Sequence, residues 1–467
     1  MSDRPNIVFL FTDDQRFDTI KALGNKRIIT PHMDNLVREG LTFTHAHIPC
    51  GTNIAVCMPS RAMLHTGRSL FHIYRAGEKI PEDQITLGET LRKNGYNCYG
   101  IGKWHNGPDS FNRGFNDGAE IFFGGMTDHW NVPAFNYDPS GNYNNYLPIC
   151  VDPMFSNNVI VRHGDHVHAG KHSSDIFSDA AIKYIESYNQ SNPFLIYVSF
   201  LAPHDPRTMP KKYIDMYDLN EIQIPQNFME EHPFDNGGLR VRDELLAPFP
   251  RTKKIVRKHI RDYYAMITHL DAQIGRIIKA LKDKEFYENT ILILAGDNGL
   301  AIGQHGLFGK QNCYEHSIRV PLIFKGPNIS EDTQIDNQIF LYDIFPTICG
   351  LTDIPIPKTV DGIDYSNIII NKDKQELRNS LYIAYTDKHR AIKNKDFKLI
   401  EYCVKRKHSM TQLFDLKKDP WELNNLANQG GFEDIIRELR KEMIQLRDEG
   451  DDKKTPWGKK FWKSFEK

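Results

Sequence analysis

Three segments, Asn6–Thr12 (NIVFLFT), Pro193–Ala202 (PFLIYVSFLA) and Thr290–Ala295 (TILILA), are almost continuously apolar and rich in β-formers. Runs this short, without alternation, suit strands covered on both faces, although periodicity alone does not separate them from buried helix. Each ends in polar chemistry: Asp13–Asp14, Pro203–His204 and Gly296–Asp297. Helical spacing appears between them over Met33–Glu39, Leu87–Asn94, Ser174–Tyr188 and Val256–Leu281, with Ser173 or Ser174 as the N-cap of the third. Strands alternating with helices predict an α/β fold with a parallel sheet, whose strand ends gather polar groups in one crevice.

The pattern changes near residue 370. Ser380–Tyr385, Arg390–Lys393 and Phe397–Glu401 read as short antiparallel strands, followed by the turn-forming Lys418–Asp419–Pro420 and a charged amphipathic helix near Phe432–Asp448. We therefore expect a larger α/β domain over 1–370 and a smaller C-terminal α+β domain over 371–467. In the latter, the Lys/Trp/Phe tail Lys453–Lys467 packs its aromatics locally as a surface segment. A chain of 467 residues is long enough for two cores. A net charge of −1 gives no bulk attraction to nucleic acid or an anionic membrane, so any anion site must be built locally. The seven cysteines are scattered, without a zinc-cage or disulfide spacing, and no apolar run reaches membrane-spanning length. No basic region leads into an apolar stretch at the N-terminus, so the sequence as written is expected in the cytoplasm, or in the periplasm if an export signal preceded it.

The densest local signal is Cys57–Met58–Pro59–Ser60–Arg61, continuing to Thr66–Gly67–Arg68. An isolated cysteine is by default a small buried hydrophobe. A phosphatase thiolate requires a longer phosphate-cradling loop than the three residues between Cys57 and Arg61. The CxPSR…TGR pattern resembles the signature of the type I, formylglycine-dependent sulfatases of the alkaline-phosphatase-like superfamily. Membership implies a large mixed, mostly parallel sheet between helices. It also implies that a formylglycine-generating maturation enzyme oxidises Cys57 to an aldehyde. As that family works, one hydroxyl of the hydrated aldehyde attacks sulfur, and the other later loses its proton to expel sulfate.

Acidic residues after strands are commonly turn formers. Asp13, Asp14, Asp297 and Asn298 are also a set of hard oxygen donors that would suit Ca²⁺ or Mg²⁺ if they converged. The resemblance assigns all four, plus residue 57, to a metal and favours Ca²⁺. Where many relatives have Asp-His, this chain has Asp297–Asn298, so Asn298 would ligate through its amide oxygen. Gly102–Lys103–Trp104–His105, Ala202–Pro203–His204–Asp205–Pro206 and the Gly303–Lys310 run resemble further family segments. A lone His or Lys in any of them is usually structural, but together they supply the charge and the proton donor that sulfuryl transfer requires. By resemblance Arg61 and Lys103 orient residue 57 and the sulfate, His105 assists turnover, and Lys310 and His204 contact the sulfate. His204 is the proton donor, while His305 braces the loop of Lys310.

The opening Asp14–Asp18 and the run of motifs look most like bacterial carbohydrate sulfatases. The expected substrate is a sulfated oligosaccharide, cut by an exo-acting glycosaminoglycan sulfatase at a uronate 2-O position. The loop His163–His172, with His163, His166, His168 and Lys171, is the clearest source of sugar contacts. A solvated polar loop and an adventitious His166/His168 metal site are its other readings. A basic cluster at Lys388–Arg390 offers Arg390 as a contact from the smaller domain, or a solvated turn. The rival functions are phosphonate monoester or phosphodiester hydrolysis within the same superfamily, and an inactive carbohydrate-binding scaffold.

Overall fold

A computed structural model describes residues 4–150, 154–372 and 375–466. The three apolar runs are adjacent strands of one nine-stranded sheet. Asn6–Thr12 lies between Phe194–Ser199 and Thr290–Gly296, parallel to both. Asn97–Lys103 and then Asp117–Phe122 extend the parallel set on the Phe194–Ser199 side. On the other side Leu322–Lys325 pairs antiparallel with Thr290–Gly296. It is followed by Leu41–His47, which Thr333–Phe340 joins in parallel.

The unbroken apolarity of the central strands has a direct cause. Successive residues point to opposite faces, and both faces are covered. Ile7, Phe9 and Phe11 enter one buried cluster with Ala62, Met63 and Leu64 of the helix Cys57–Thr66. Val8 and Leu10 enter a second with Ile176 and Phe177 of the helix Ser173–Ser187 and with Tyr263, Ile267 and Ile274 of the helix Lys253–Asp283. The cap of Ser173–Ser187 differs from expectation. His172 is the N-cap, its Nδ1 accepting the Ser174 N–H, because the two serines are already helical and buried.

A second sheet orders Lys407–Asp415, Phe397–Val404, His389–Lys393 and Leu381–Tyr385 as an antiparallel meander. Its fifth strand is Cys50–Gly51, from just before the Cys57 helix, parallel to Ala384–Tyr385. The helix Glu433–Glu449 covers this sheet with Leu439 and Met443. The tail, expected as a surface segment, forms the helix Pro456–Phe465 and buries Phe461 and Trp462 beside them. Lys467 lies outside the described residues. No helix among the described residues is long and apolar enough to cross a membrane.

Candidate active site

The carboxyl ends of the parallel strands converge on Cys57. Cys57 opens the helix Cys57–Thr66 and is 2% exposed, with His105 Nδ1 at 3.5 Å and Lys103 Nζ at 3.6 Å from its sulfur. Lys103 is the last residue of its strand. Gly102 before it adopts φ +82°, and a Cβ there would come within 2.1 Å of the Ser199 carbonyl oxygen. Only glycine permits this close strand approach, which turns Lys103 into the site.

One helical turn after Cys57, Arg61 is fully buried. Its guanidinium donates to Asp297 Oδ2 at 3.0 Å, to the Lys103 carbonyl at 3.1 Å and to Ser199 Oγ. Arg61 thus fixes the end of one strand against two others, and the carboxylate it holds is one of the expected metal ligands. Ser60 adds a bond to the Asp297 carbonyl at 2.6 Å. Neither Ser60 nor Ser199 was marked out by sequence reasoning, although Ser60 lies inside the CxPSR segment. Tyr263, far away in the chain, donates its hydroxyl to the Asp14 carbonyl and was also missed, since nothing in a helical Tyr announces such a contact.

Asp13, Asp14, Asp297 and Asn298 do converge. The Asp14 N–H donates to Asp297 Oδ1 at 3.0 Å, and the Asn298 amide donates to Asp14 Oδ1 at 2.7 Å. Donor atoms of Asp13, Cys57 and Asp297 lie within 4.8 Å of one another, as do those of Asp13, Asp14 and His204. Asp13 Oδ1 and Asn298 Oδ1 are buried without a hydrogen-bond partner. Leaving two oxygens desolvated and unpaired is costly, so a hard divalent cation fits this donor set.

Two ammonium groups face the same cluster. Lys103 pairs with Asp13 and Lys310 with Asp14. Burial alone would raise the Asp13 carboxyl, but Lys103, His204 and Arg61 hold it well below the usual range. Asp297 moves the other way, pushed up to about 6 by burial and the Asp13 charge against Arg61 and Lys103. Burial, outweighing Lys103 and Lys310, raises the Cys57 thiol above its ordinary 9.0, so this is no activated thiolate. Burial and Lys103 lower His105, which is therefore a neutral imidazole beside residue 57. His204 directs Nε2 toward Asp14 Oδ2 at 3.7 Å, while its Nδ1 donates to the Asp205 carbonyl at 2.7 Å.

The sequence and structure of the chain match known proteins along nearly their whole length. The profile of the family described as Sulfatase matches residues 5–354, and that described as N-sulphoglucosamine sulphohydrolase, C-terminal, matches residues 303–449. The chain belongs to the sulfatase family. It is a sulfuric ester hydrolase with the alkaline-phosphatase-like fold. An ulvan-active sulfatase of Formosa agariphila is 28% identical over 96% of this chain and 82% of its own. An N-acetylglucosamine-6-O-sulfatase of Bacteroides thetaiotaomicron is 24% identical over 96% of this chain and 86% of its own. A solved structure holding its substrate D-glucosamine-2-N,6-O-disulfate has a TM-score of 0.78 at 22% identity, covering 98% of this chain and 99% of that one. Phosphonate monoester hydrolase of Agrobacterium radiobacter has a TM-score of 0.75 at 20% identity, covering 96% of each chain.

Around this sulfatase pocket the remaining expected residues divide. His305 is 3% exposed, stacks on Tyr314 at 4.0 Å and bonds to Asn227. Arg390, expected at the substrate from the smaller domain, is instead fully buried in an ion pair with Asp452, because its strand faces the C-terminal helices. His163 bonds to the Tyr143 carbonyl, His166 and His168 turn to Glu120, and Lys171 pairs with Asp179. Among the described residues, none of these five hydrogen-bonds to the central cluster. The helix that follows the loop reaches the site indirectly: His129 accepts the Ser173 N–H on its carbonyl and donates Nε2–H to the His204 carbonyl.

Proposed function

We propose that this sulfatase removes a sulfate ester from the end of a carbohydrate chain, using formylglycine at position 57 and Ca²⁺ held by Asp13, Asp14, Asp297 and Asn298. The observation that carries the reading is the placement of Cys57. It is buried at a helix start between Lys103 and His105 and beside a carboxylate cluster with two unpaired oxygens. A raised thiol pKa argues against chemistry by the cysteine itself, and conversion by a formylglycine-generating enzyme would supply a hydrated aldehyde as nucleophile. The cation would polarise the sulfate and help to ionise that nucleophile. Ca²⁺ is favoured over Mg²⁺ because mixed carboxylate and amide oxygens suit its adaptable coordination.

The chain's own residues then take distinct parts. Lys103 and Lys310 place positive charge beside the negative charge carried by the equatorial sulfate oxygens. His204, opposite Asp14, gives its proton to the leaving alkoxide, and neutral His105 removes a proton from residue 57 so that sulfate can leave. Arg61 acts through Asp297 and Lys103, as a positioning residue.

For the sugar, we infer an exo-acting glycosaminoglycan sulfatase specific for uronate 2-O-sulfate. His163, His166 and His168 are engaged elsewhere; Lys171, whose pair with Asp179 is solvent-exposed and so exchangeable, is 48% exposed in its side chain and lies close before the N-terminus of the helix Ser173–Ser187. There a uronate carboxylate would meet an ammonium close to the positive end of the helix dipole. Glucosamine 6-O-sulfate is the second reading, favoured by likeness to the N-acetylglucosamine-6-O-sulfatase along 96% of this chain. The deciding experiment offers matured enzyme defined disaccharides sulfated at uronate O2 or glucosamine O6, with a phosphonate monoester and a phosphodiester in parallel. Sulfate release from the uronate substrate is the expected result. Release only from glucosamine selects the second reading, and a large preference for either phosphorus ester overturns both.

A further inference from the structure

Away from the catalytic cluster, the strand Asp117–Phe122 brings Glu120 against two imidazoles from a segment more than forty residues later in the chain. His166 Nε2 lies 3.0 Å from Glu120 Oε2, and His168 Nε2 lies 3.0 Å from Glu120 Oε1. The rings stand edge to face with centroids 5.0 Å apart, and one donor atom from each of the three residues falls within a 4.8 Å sphere of contacts. Side-chain exposures of 17% for Glu120, 25% for His166 and 43% for His168 leave the group open to solvent on one side.

The backbone is shaped for this meeting. The register between Asn97–Lys103 and Asp117–Phe122 slips after Ile101, and Glu120 is the residue left over, with φ +52°. Such a bulge re-aims one side chain out of the alternating pattern. On the opposing segment the Ala134 N–H donates to the His166 carbonyl at 2.9 Å, which holds the His-Val-His stretch beside the edge strand.

We propose that Glu120, His166 and His168 form a second metal site, for a first-row transition dication of the Zn²⁺ class. Zn–N and Zn–O bonds near 2.1 Å put neighbouring donors of a tetrahedral site about 3.4 Å apart, a few tenths of an ångström wider than the 3.0 Å already present between the carboxylate and each imidazole. Two imidazoles and one carboxylate suit Zn²⁺ and its neighbours and not Ca²⁺, so this site and the oxygen cluster at Asp13 select different ions. Water on the open side completes the coordination. The neighbouring cluster of His172, Asp175 and His269 offers no such site: His172 Nδ1 accepts the Ser174 N–H and its Nε2 donates to the Thr208 carbonyl, so both nitrogens are committed. An ion at Glu120 would staple the 163–172 segment to the strand next to the one that ends in Lys103, and so fix the wall on which Lys171 stands.

The test titrates the full chain with Co²⁺, then Zn²⁺, in excess Ca²⁺ so that the oxygen cluster is already occupied. We expect one equivalent of Co²⁺ with visible ligand-field absorption, displaced by Zn²⁺ and retained in Cys57→Ala. Affinity should fall about 100-fold or more in Glu120→Gln and in the double variant His166→Asn, His168→Asn. Circular dichroism reports whether those variants are folded. In the wild-type chain, Zn²⁺ should also protect His166 and His168 from carbethoxylation by diethyl pyrocarbonate, read by peptide mass. Absent uptake, uptake unchanged in the folded variants, or equal modification with and without Zn²⁺ each overturns the proposal.

Discussion

Lys103 Nζ lies 3.6 Å from Cys57 Sγ while it also pairs with the Asp13 carboxylate, so one buried ammonium faces both residue 57 and the acidic cluster. Removing it withdraws charge from the sulfate and from Asp13 together. Lys103→Ala is expected to lower kcat/KM on an aryl sulfate by about 10²–10³-fold, the usual cost of losing one group that stabilises developing charge. Peptide mass spectrometry should show formylglycine at position 57 unchanged, which separates a catalytic loss from failed maturation.

Cys57→Ala should abolish turnover while leaving the fold intact. The side chain is small and its removal opens little volume, so the thermal midpoint should shift only slightly. Measurable turnover above background by this variant would defeat the formylglycine mechanism.

Asn298 has a buried Oδ1 without a hydrogen-bond partner, and its amide nitrogen is already spent on Asp14. Chelation with EGTA is therefore expected to remove activity, and Ca²⁺ to restore it better than Mg²⁺. Asn298→Ala should raise the Ca²⁺ needed for half-activity by about tenfold or more, whereas Asn298→Asp keeps an oxygen donor and should cost less. Equal restoration by both ions would remove the preference for Ca²⁺.

The legibility of these features in the sequence follows their range along the chain. The strands Asn6–Thr12 and Thr290–Gly296 were readable because burial on both faces leaves a local mark, an unbroken apolar run. The carboxylates that follow them were readable because strand ends deliver side chains to one crevice. The pairing of Cys50–Gly51 with Ala384–Tyr385 left no mark, since two residues have no period and the partner is over three hundred positions away. The same holds for Glu120: a bulge set by slip against a neighbouring strand decides where its carboxylate points. For the cap of Ser173–Ser187 the two serines have the better intrinsic preference, and tertiary packing gives the position to His172 instead.

Asp271, on the helix Lys253–Asp283, accepts the N–H groups of His32 and Met33 at the start of the helix Pro31–Arg38 and is 1% exposed. Burial outweighs those bonds and pushes its carboxyl up from 3.8 to about 7. The native state therefore binds the extra proton between those values, and the contribution of this group to stability falls as pH rises from about 4 to about 7. Asp271→Asn should flatten that part of the stability–pH curve and gain stability relative to wild type near pH 8 compared with pH 5. Thermal unfolding across the range measures it; an unchanged slope would show that the buried carboxyl titrates as it does in the unfolded chain.

Arg390 gives the clearest contrast between a substrate role and a structural one. Its guanidinium makes two bonds to Asp452, at 2.7 and 3.0 Å, and lies between the rings of Trp457 at 4.8 Å and Phe461 at 4.4 Å. Asp452 also accepts the Tyr382 hydroxyl at 2.6 Å and the Trp462 indole N–H at 2.8 Å, so the pair ties the second sheet to the last helix. Taking away one partner strands a charge in an apolar setting, which costs about 3–5 kcal/mol. Asp452→Asn and Arg390→Met should each lower the thermal midpoint strongly with KM unchanged at a temperature where the variant is folded. The double variant should recover part of the loss, because no lone charge then remains. A raised KM for Arg390→Met at unchanged stability would return the residue to the sugar site.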